Sequence, residues 1–262
     1  MAKIMLLANA NPGLEVTQFI SSLKEDKISA LYVCGNYPEI DEKIIKNSKV
    51  CKDRIFSVEH LKNKKHLDWL KVEDIDVLIT VYWPYLLKEN AFRLAKKTVN
   101  FHPAMLPINR GWCPQGHSLI DGSVSGVTLH SIDKNADTGP IWAQREVNII
   151  PTDTAKTIYL QLQKEIVALF KENWGRIKKG TLDPISQIES KAVYHAKNEI
   201  KELDEIDLSK TQTIRETINF LRARSFGDLG FSHYEENGQK VHINVRLSLD
   251  MDMKKEVKDE DR

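Results

Sequence analysis

Three polar side chains in the middle of the chain could do chemistry together. Asn100 and His102 are one residue apart in a short apolar run, and Asp137 follows thirty-five residues after His102. On an extended strand such a pair projects from the same face, so an amide and an imidazole would lie side by side. They could bind a carbonyl oxygen and accept a proton from an attacking amine. A carboxylate nearby could fix the imidazole tautomer and stabilise its charged form, which indicates transfer of an acyl group to an amine.

The same residues also have a purely structural interpretation. His102 could cap the end of a strand, and Asp137 could close the turn Asp-Thr-Gly at residues 137–139. Perturbed or clustered polar groups are common in structural networks as well as in active sites. Spacing alone leaves both interpretations open.

The segments around these residues alternate between strand and helix patterns. Apolar runs ended by turn residues predict strands at residues 3–8, 28–34, 55–58, 77–83 and 99–102. The first strand is expected to stop at a turn over residues 9–13, with a helix following through about residue 23. The Lys-rich stretch 59–71 is expected to be a solvated helix. Such alternation predicts an α/β fold with a mostly parallel sheet.

The next part of the chain departs from this alternation. Residues 126–132 and 141–150 are strand patterns joined by a loop too short for a helix, so they should pair antiparallel. The longest helical pattern covers residues 154–178, where Leu162, Ile166 and Phe170 lie on one face and Gly180 ends the helix.

Beyond residue 180 the elements become shorter and more charged. A helix is expected over residues 212–223, with Thr213 and Glu216 spaced as a capping box, and Asn237-Gly238 is a strong hairpin signal. A lone hairpin is marginal unless it packs on something, so this region is expected to form homodimer contacts. We therefore divide the chain into a catalytic domain at 1–180, a small α+β region at 181–249, and a charged tail at 250–262 predicted to be disordered.

Composition excludes several classes of function. Lys and Arg number 38 against 37 Asp and Glu, a net charge of +1, so no global field favours nucleic acid or an anionic membrane. No apolar run reaches the length of a membrane span or a signal-peptide core. The three cysteines are odd in number and form no CxxC pair, which argues against a disulfide framework and indicates a reducing, cytoplasmic setting.

Cofactor motifs are also informative by their absence. The sequence contains neither the dinucleotide-binding motif G-x-G-x-x-G nor the P-loop motif G-x-x-x-x-G-K-[ST]. This argues against a nicotinamide enzyme and against a P-loop NTPase. Cys113 and His117 stand four residues apart, but one such pair without further ligands is too little for a zinc site. We predict no metal.

A longer set of motifs has the order and spacing of a known enzyme family. The set consists of Asn-Phe-His-Pro at 100–103, Leu-Pro at 106–107, Arg-Gly at 110–111, Gly-Val-Thr-Leu-His at 126–130, Asp-Thr-Gly at 137–139, and Gln144. It resembles the formyltransferases that use N10-formyltetrahydrofolate, over roughly residues 76–150. The resemblance implies a Rossmann-like formyltransferase domain in which Asn100, His102 and Asp137 are the catalytic trio.

The resemblance also implies a site for the folate co-substrate. The family's folate loop, a Tyr followed by a Leu-rich turn, is similar to the stretch that contains Tyr82, Tyr85, Leu86 and Leu87. Backbone groups of this loop would hold the pterin ring. The usual Pro at its end is replaced by Leu87.

Two further segments resemble the sugar N-formyltransferases. Residues 109–115 and 221–226 look like the versions in enzymes that formylate nucleotide-linked amino sugars, above all a 4-amino-4,6-dideoxyglucose on dTDP for O-antigen or another surface glycan. Arginine suits a pyrophosphate because its planar fork matches phosphate oxygens. The candidate substrate contacts are Asn9, Asn11, Arg110, Trp112, Gln115, Arg222 and Arg224.

Other functions stay open at this point. Water in place of the sugar amine would make the protein a formyltetrahydrofolate hydrolase, and loss of turnover would leave a non-catalytic nucleotide-sugar binding protein. A transfer-RNA substrate is disfavoured by the near-zero net charge. A purine-pathway enzyme would not need the Leu-Arg-Ala-Arg segment at 221–224.

Overall fold

A seven-stranded sheet forms the centre of the protein. The structure is a computed structural model that describes residues 1–250. The sheet strands are β1 (Ala2–Ala8), β2 (Asp26–Val33), β3 (Ile55–Ser57), β4 (Ile75–Val81), β5 (Ala95–His102), β7 (Gly126–His130) and β8 (Ile141–Glu146), and the two-residue strand β6 (Arg110–Gly111) lies outside it. Their spatial order is β3-β2-β1-β4-β5-β7-β8. The α/β class is confirmed.

Five neighbouring strands pair parallel, and the last two strands of the sheet join through antiparallel pairs. β1 pairs parallel with both β2 and β4, and β5 continues the parallel set beside β4. β7 runs antiparallel to β5, and β8 runs antiparallel to β7. The antiparallel pairing expected of residues 126–132 and 141–150 is therefore confirmed. The strand order reverses between β1 and β4, which is where parallel α/β sheets leave a crevice for ligands.

Helices lie against both faces of the sheet. They are α1 (Ala10–Ser22), α2 (Pro38–Ser48), α3 (Lys64–Glu73), α4 (Glu89–Phe92), α5 (Pro114–Asp121), α6 (Ala155–Lys179), α7 (Glu199–Glu202) and α8 (Ile214–Ala223). The residues of β1 show why both faces need cover: Ile4 and Leu6 join the cluster that contains α1 and α6, while Met5 and Leu7 join the cluster that contains α3. Successive side chains of a strand point to opposite faces, so a fully apolar strand is stable only between two layers.

The long helix α6 begins and ends where the sequence indicates. Thr154 is its N-cap and takes part in a capping box, and Gly180 is its C-cap in the left-handed conformation with φ of 69°. Near its end, Trp174 is 1% exposed and its indole N–H donates to the Asp26 carboxylate at 2.7 Å. Glycine is favoured at such a cap because a side chain is strained at positive φ.

The C-terminal region also follows its sequence signals. Thr213 and Glu216 form the expected capping box of α8. Around Asn237-Gly238, β12 (His233–Glu236) and β13 (Gln239–His242) form the predicted hairpin. Two-residue strands β10 (Ser225–Phe226) and β11 (Leu229–Gly230) form a second small antiparallel pair. The predicted disorder of the tail falls on residues 251–262, which lie outside the described residues.

Two predicted segments differ from the structure. Helix α1 begins at Ala10, directly after β1, so the turn expected over residues 9–13 is wrong. Pro12 fits there because the first helical turn needs no N–H from it. The stretch 59–71 is broken into a 3₁₀ turn (Val58–Lys62) and α3, and it buries Leu67 and Leu70. It is not simply solvated.

Residues 181–198, here called the connector, run back over the sheet before the C-terminal helices begin. Strand β9 (Tyr194–His195) pairs parallel with β6. Earlier in the connector, Ile185 and Ile141 exchange two backbone hydrogen bonds of 2.8 Å. The connector therefore packs on loops of the first 180 residues.

Within residues 1–250, no helix combines the length and the apolar composition needed to cross a bilayer.

Two leucines of α6 give a matched test of the core. Leu162 is fully buried and Leu160 is 51% exposed. We expect Leu162→Ala to lower the free energy of unfolding by about 2–5 kcal/mol, because it removes buried methyl groups and leaves a cavity. Leu160→Ala should change it by less than about 0.5 kcal/mol. Urea denaturation of the two variants measures both values, and equal losses would contradict this packing of α6.

Candidate functional site

The candidate site lies where β1, β4 and β5 end side by side. Asn9 follows β1, and its side-chain N–H donates to the backbone oxygen of Tyr82, which follows β4, at 2.7 Å. Asn100 and His102 form the end of β5, as the sequence predicts. These strand ends border the point where the sheet order reverses. The sheet thus gathers side chains from distant parts of the chain at one edge.

Asn100 is held with its N–H₂ group facing the site. The hydroxyl of Thr80 donates to the Asn100 side-chain oxygen at 2.6 Å. The Asn100 amide nitrogen lies 2.9 Å from Nε2 of His130 and 3.4 Å from Oδ1 of Asp137. Thr80 thus engages the oxygen of the amide, and its two N–H groups, the donors that the amide offers, face His130 and Asp137.

His102 is buried, and the partner of its Nε2 defines its tautomer. Nε2 lies 2.9 Å from the backbone oxygen of Asn109, which can only accept a hydrogen bond. Nε2 therefore carries the hydrogen, and Nδ1 is free in the neutral ring. Nδ1 lies 3.4 Å from Oδ2 of Asp137. The Asn109 carbonyl, rather than Asp137 as expected, fixes the tautomer, and Asp137 lies next to the atom that takes up a proton.

Asp137 is a mostly buried carboxylate at the centre of this group. Its Oδ2 accepts from the backbone N–H of Gly111 at 3.0 Å, and its Oδ1 lies 3.4 Å from Nε2 of His130. Its side chain is 15% exposed. The backbone of Asp137 has a φ of 57°, in the left-handed region. A non-glycine residue keeps this conformation only where its surroundings hold it there.

The pKa values of the pair are shifted in the directions that a base and its counter-ion need. Burial acts to raise the pKa of Asp137, but His102, His130 and the Gly111 N–H outweigh burial and hold this pKa well below its usual range. Burial lowers the pKa of His102, and the Asp137 carboxylate opposes part of that effect. At neutral pH the site therefore holds a charged Asp137 and a neutral His102.

The predicted folate loop lies beside this group. Strand β4 pairs with β5 so that Thr80 faces Asn100, and the loop follows two residues later. Tyr85 is 46% exposed and Leu86 is 82% exposed. The buried hydroxyl of Tyr82 has no hydrogen-bond partner among the described residues. The exposed side chains of Tyr85 and Leu86 offer apolar surface that suits a flat ring such as a pterin, whereas the Tyr82 ring packs against Tyr159 of α6. Leu87 is partly buried against the α3 side of the core.

Two of the predicted phosphate-binding arginines are engaged elsewhere. Arg110 is 5% exposed, and its guanidinium donates to Gln187 and Glu189 at 2.7 to 3.1 Å. Arg224 is 6% exposed and donates to Asp204 at 2.6 Å. Because both guanidinium groups are buried and already paired, a role in phosphate binding has no support from these contacts and stays a prediction for both residues. They are structural ion pairs here.

The remaining predicted substrate contacts are more accessible or only partly engaged. Arg222 donates to two backbone oxygens at residues 150 and 151, and its Nε has no partner among the described residues. Trp112 is 45% exposed, with the Lys197 ammonium 4.5 Å from its ring centre. Asn11 is exposed on α1, whereas Asn9 is 6% exposed. The Gln115 side chain lies 3.6 Å from the sulfur of Cys113.

A histidine cluster lies close to the site. His117, His195 and Glu199 have ligand atoms within 4.8 Å of one another. The rings of His117 and His195 are stacked in parallel, 3.4 Å apart, and both nitrogens of His195 already have partners, Asn109 and Glu199. Nitrogen lone pairs lie in the ring plane, so two parallel rings cannot both point at one ion. This cluster therefore packs the connector onto the catalytic region.

Some site residues were not predicted from sequence. His130 lies directly opposite Asn100 in the antiparallel β5–β7 pair. Its presence in the motif at 126–130 was a signal, but its contact with Asp137 depends on strand register. Thr80 and Gln187 had no sequence signal, because each acts through a neighbour that only folding supplies.

Two parts of the chain match models of known protein families. Residues 4–172 match the family model described as formyl transferase, which is more than half of the 262 residues. The chain belongs to the formyl transferase family. Residues 199–249 match a second model, described as the N-formyltransferase dimerization C-terminal domain. The expected formyl transferase fold with a small C-terminal region is thus confirmed.

One formyltransferase of known substrate name is similar to this chain over more than half of the chain's length. The dTDP-4-amino-4,6-dideoxyglucose formyltransferase of Mycobacterium tuberculosis is 35% identical over 152 residues, which is 58% of this chain and 64% of that protein. The match therefore spans just under two thirds of that relative's length.

Solved structures extend the similarity over more of the chain. A 4-N formyltransferase from Francisella tularensis is 26% identical with a TM-score of 0.83, covering 95% of this chain and 98% of that one. The formyltransferase PseJ from Anoxybacillus kamchatkensis, solved with UDP-4,6-dideoxy-4-formamido-L-AltNAc and tetrahydrofolate, is 28% identical with a TM-score of 0.56. It covers 77% of this chain and 89% of that one.

The Asp137–His102 contact gives a test by titration. We expect Asp137→Asn to lower the pKa of His102 further, because burial still penalises the charged ring and the carboxylate that favours it is gone. Asp228→Asn, at an exposed position of the C-terminal region, should leave this pKa unchanged. NMR titration of ¹⁵N-labelled imidazoles measures the midpoint, and a rise in Asp137→Asn would contradict the assigned contact.

Proposed function

We propose that this protein transfers a formyl group from N10-formyltetrahydrofolate to the amine of a dTDP-linked amino-dideoxy sugar, dTDP-4-amino-4,6-dideoxyglucose being the first candidate. The observation that carries the proposal is the group formed by Asn100, His102 and Asp137, in which the unprotonated Nδ1 of His102 faces the Asp137 carboxylate. The similarity to named sugar N-formyltransferases supports the choice of substrate.

Each member of the group has a distinct task in this reaction. As the amine attacks the formyl carbon, negative charge develops on the formyl oxygen, and the Asn100 N–H₂ group is positioned to donate to it. His102 accepts the amine proton at Nδ1, which becomes an imidazolium nitrogen. Asp137 stabilises that positive charge from 3.4 Å away. The proton can then pass to the departing folate nitrogen, so His102 returns to its neutral form.

The acceptor amine itself suits a base of this kind. Amines of this general class titrate near pH ~8, so part of the acceptor is neutral and nucleophilic at neutral pH. A neutral His102 then has only to remove the proton released as the carbon–nitrogen bond forms. Burial of His102 favours this neutral form, since it disfavours the charged ring before the reaction begins.

Binding of the two substrates is proposed on the residues around this group. The folate co-substrate is assigned to the loop of Tyr82, Tyr85 and Leu86, where the side chains of Tyr85 and Leu86 expose apolar surface. For the nucleotide sugar, Trp112 offers an exposed ring for stacking on the sugar or base, and the partly exposed Arg222 is the candidate for a phosphate. Asn9, Asn11 and Gln115 stay candidates for weaker contacts.

The assembly and setting of the enzyme are also proposals. The match of residues 199–249 to a dimerization domain supports a homodimer formed through the C-terminal region. Exposed apolar side chains on that region, among them Ile214, Ile218 and Phe231, support the same contact. The three free cysteines support a reducing, cytoplasmic setting.

A direct assay tests the reaction. The protein is incubated with N10-formyltetrahydrofolate and a panel of dTDP- and UDP-linked amino sugars. Absorbance follows the release of folate, and mass spectrometry measures the mass of the product. We expect dTDP-4-amino-4,6-dideoxyglucose to gain one formyl unit. Folate release without any acceptor would indicate a hydrolase instead, and binding without release would indicate a non-catalytic sugar-binding protein.

Asn100 and a second asparagine give a matched test of mechanism. Asn100→Ala should lower kcat about 10²- to 10³-fold, because one donor to the developing oxyanion is lost. Asn47→Ala, on α2 with its side chain bonded to Gln18 and Lys43, should leave kcat unchanged. Steady-state kinetics at saturating folate measures both. Near-normal turnover in Asn100→Ala would remove Asn100 from the proposed mechanism.

A further inference from the structure

The connector supplies a side chain to the site although neither family model covers it. The first match ends at residue 172, and the second begins at residue 199. Gln187 lies in the connector, and its side-chain nitrogen donates to the backbone oxygens of Asp137 and Gly139, both at 2.8 Å. Both N–H groups of the amide are therefore used on the two sides of Thr138. Gln187 thus reaches the loop that carries the buried carboxylate.

The oxygen of the same amide is used as fully as its nitrogen. It accepts from the Nε and Nη2 atoms of Arg110 at 3.1 and 2.8 Å. Turning the amide over would set its N–H₂ group against a guanidinium and its oxygen against two carbonyls, so only one orientation is compatible with these neighbours. Glu189 holds the same guanidinium from the other side at 2.7 and 3.0 Å.

The segment that contains Arg110 also contacts the Asp137 carboxylate directly. The residue after it, Gly111, donates its backbone N–H to Oδ2 of Asp137. Gln187 therefore ties the backbone of Asp137 to the segment whose N–H holds the Asp137 carboxylate. The space is tight, because a Cβ added at Gly139 would lie 1.8 Å from the backbone oxygen of Ser131.

Backbone hydrogen bonds hold the connector on both sides of Gln187. Before it, Ile185 and Ile141 bond to each other in both directions at 2.8 Å. After it, Val193 accepts from Arg110 N at 2.8 Å and donates to Pro107 O at 3.1 Å. Gln187 therefore projects from an anchored segment and can impose a position on its partners.

We propose that Gln187 is a positioning residue: it holds the Asp137 loop in the conformation that keeps the carboxylate beside Nδ1 of His102. Asp137 needs such support because its backbone occupies the left-handed region. Gln187 touches neither His102 nor the reacting atoms and acts only through Asp137. Its catalytic meaning rests on the proposed formyl transfer.

The first test needs no substrate. In Gln187→Met, which keeps the length of the side chain but loses both N–H donors, the Asp137 carboxylate should withdraw from His102. The pKa of His102 should then fall, in the same direction as in Asp137→Asn. NMR titration of ¹⁵N-labelled imidazoles follows it, with the His102 signal assigned from the His102→Asn spectrum. An unchanged midpoint in a folded Gln187→Met protein would overturn the proposal.

Two further variants separate positioning from general destabilisation. Gln187→Leu adds no charge and cannot donate to the Asp137 loop, so it should lower the pKa midpoint of His102 relative to the unaltered protein. Gln212→Met makes the same chemical change as Gln187→Met at an exposed glutamine whose side-chain nitrogen donates to Thr217, and it should leave that midpoint unchanged. A midpoint that moves equally in Gln212→Met would overturn the assignment.

Kinetics then tests whether Gln187 acts through Asp137. We expect Gln187→Met to lower kcat about 10- to 100-fold with little change in KM, and to move the acid limb of the pH profile to lower pH. In an Asp137→Asn background the same substitution should cost almost nothing further. Multiplying losses would overturn the proposal. If the unaltered protein formylates no acceptor, the proposed function fails, while the titrations still decide the role of Gln187.

Discussion

The structure of the site depends on one buried negative charge. A carboxylate removed from water costs several kcal/mol unless other groups compensate it, and here the compensation comes from parts of the chain that are far apart in sequence. Asp137 receives the N–H of Gly111, and it lies 3.4 Å from the imidazoles of His102 and His130. These groups belong to β6, β5 and β7. The charge is therefore stable only when the antiparallel end of the sheet and the loop at residues 131–140 are both assembled.

The partners of His102 and Asn100 determine which atom of each side chain faces the site. The Asn109 carbonyl takes the hydrogen on Nε2 of His102, so the only basic atom of that ring is Nδ1, on the side of Asp137. Thr80 donates to the oxygen of Asn100, so the N–H groups are the side of that amide that faces the site. In the proposed reaction His102 accepts a proton and Asn100 stabilises an oxyanion. Such preorganisation is what electrostatic catalysis requires, because the protein does not have to reorient its dipoles during the reaction.

Buried arginines illustrate how a side chain can be misjudged from its type. Guanidinium groups near a predicted phosphate site suggest ligand binding, yet Arg110 pairs with Glu189 of the connector and Arg224 pairs with Asp204 within the C-terminal region. The Arg110 guanidinium also donates to Gln187, which reaches the Asp137 loop. Arg110 thus joins the first 180 residues to the connector.

Local signals in the sequence were sufficient for most of the fold. The apolar runs of β1, β4 and β5, the capping residues Thr154 and Gly180 of α6, and the Asn237-Gly238 hairpin were all readable, because strand periodicity, helix caps and tight turns depend on neighbouring residues. The motif around Asn100 and His102 indicated the chemistry for the same reason.

Tertiary structure alone decided which groups compensate the charge of Asp137. The contacts of His130, the tautomer of His102, and the reach of Gln187 depend on strand register and on loops packed from distant positions. A one-residue change of register would turn the side chains of His102 and His130 to the opposite face of the sheet. Sequence by itself thus determined the elements and the reactive residue types, and the packing of those elements determined their partners, because hydrogen bonds and burial between distant segments exist only after folding.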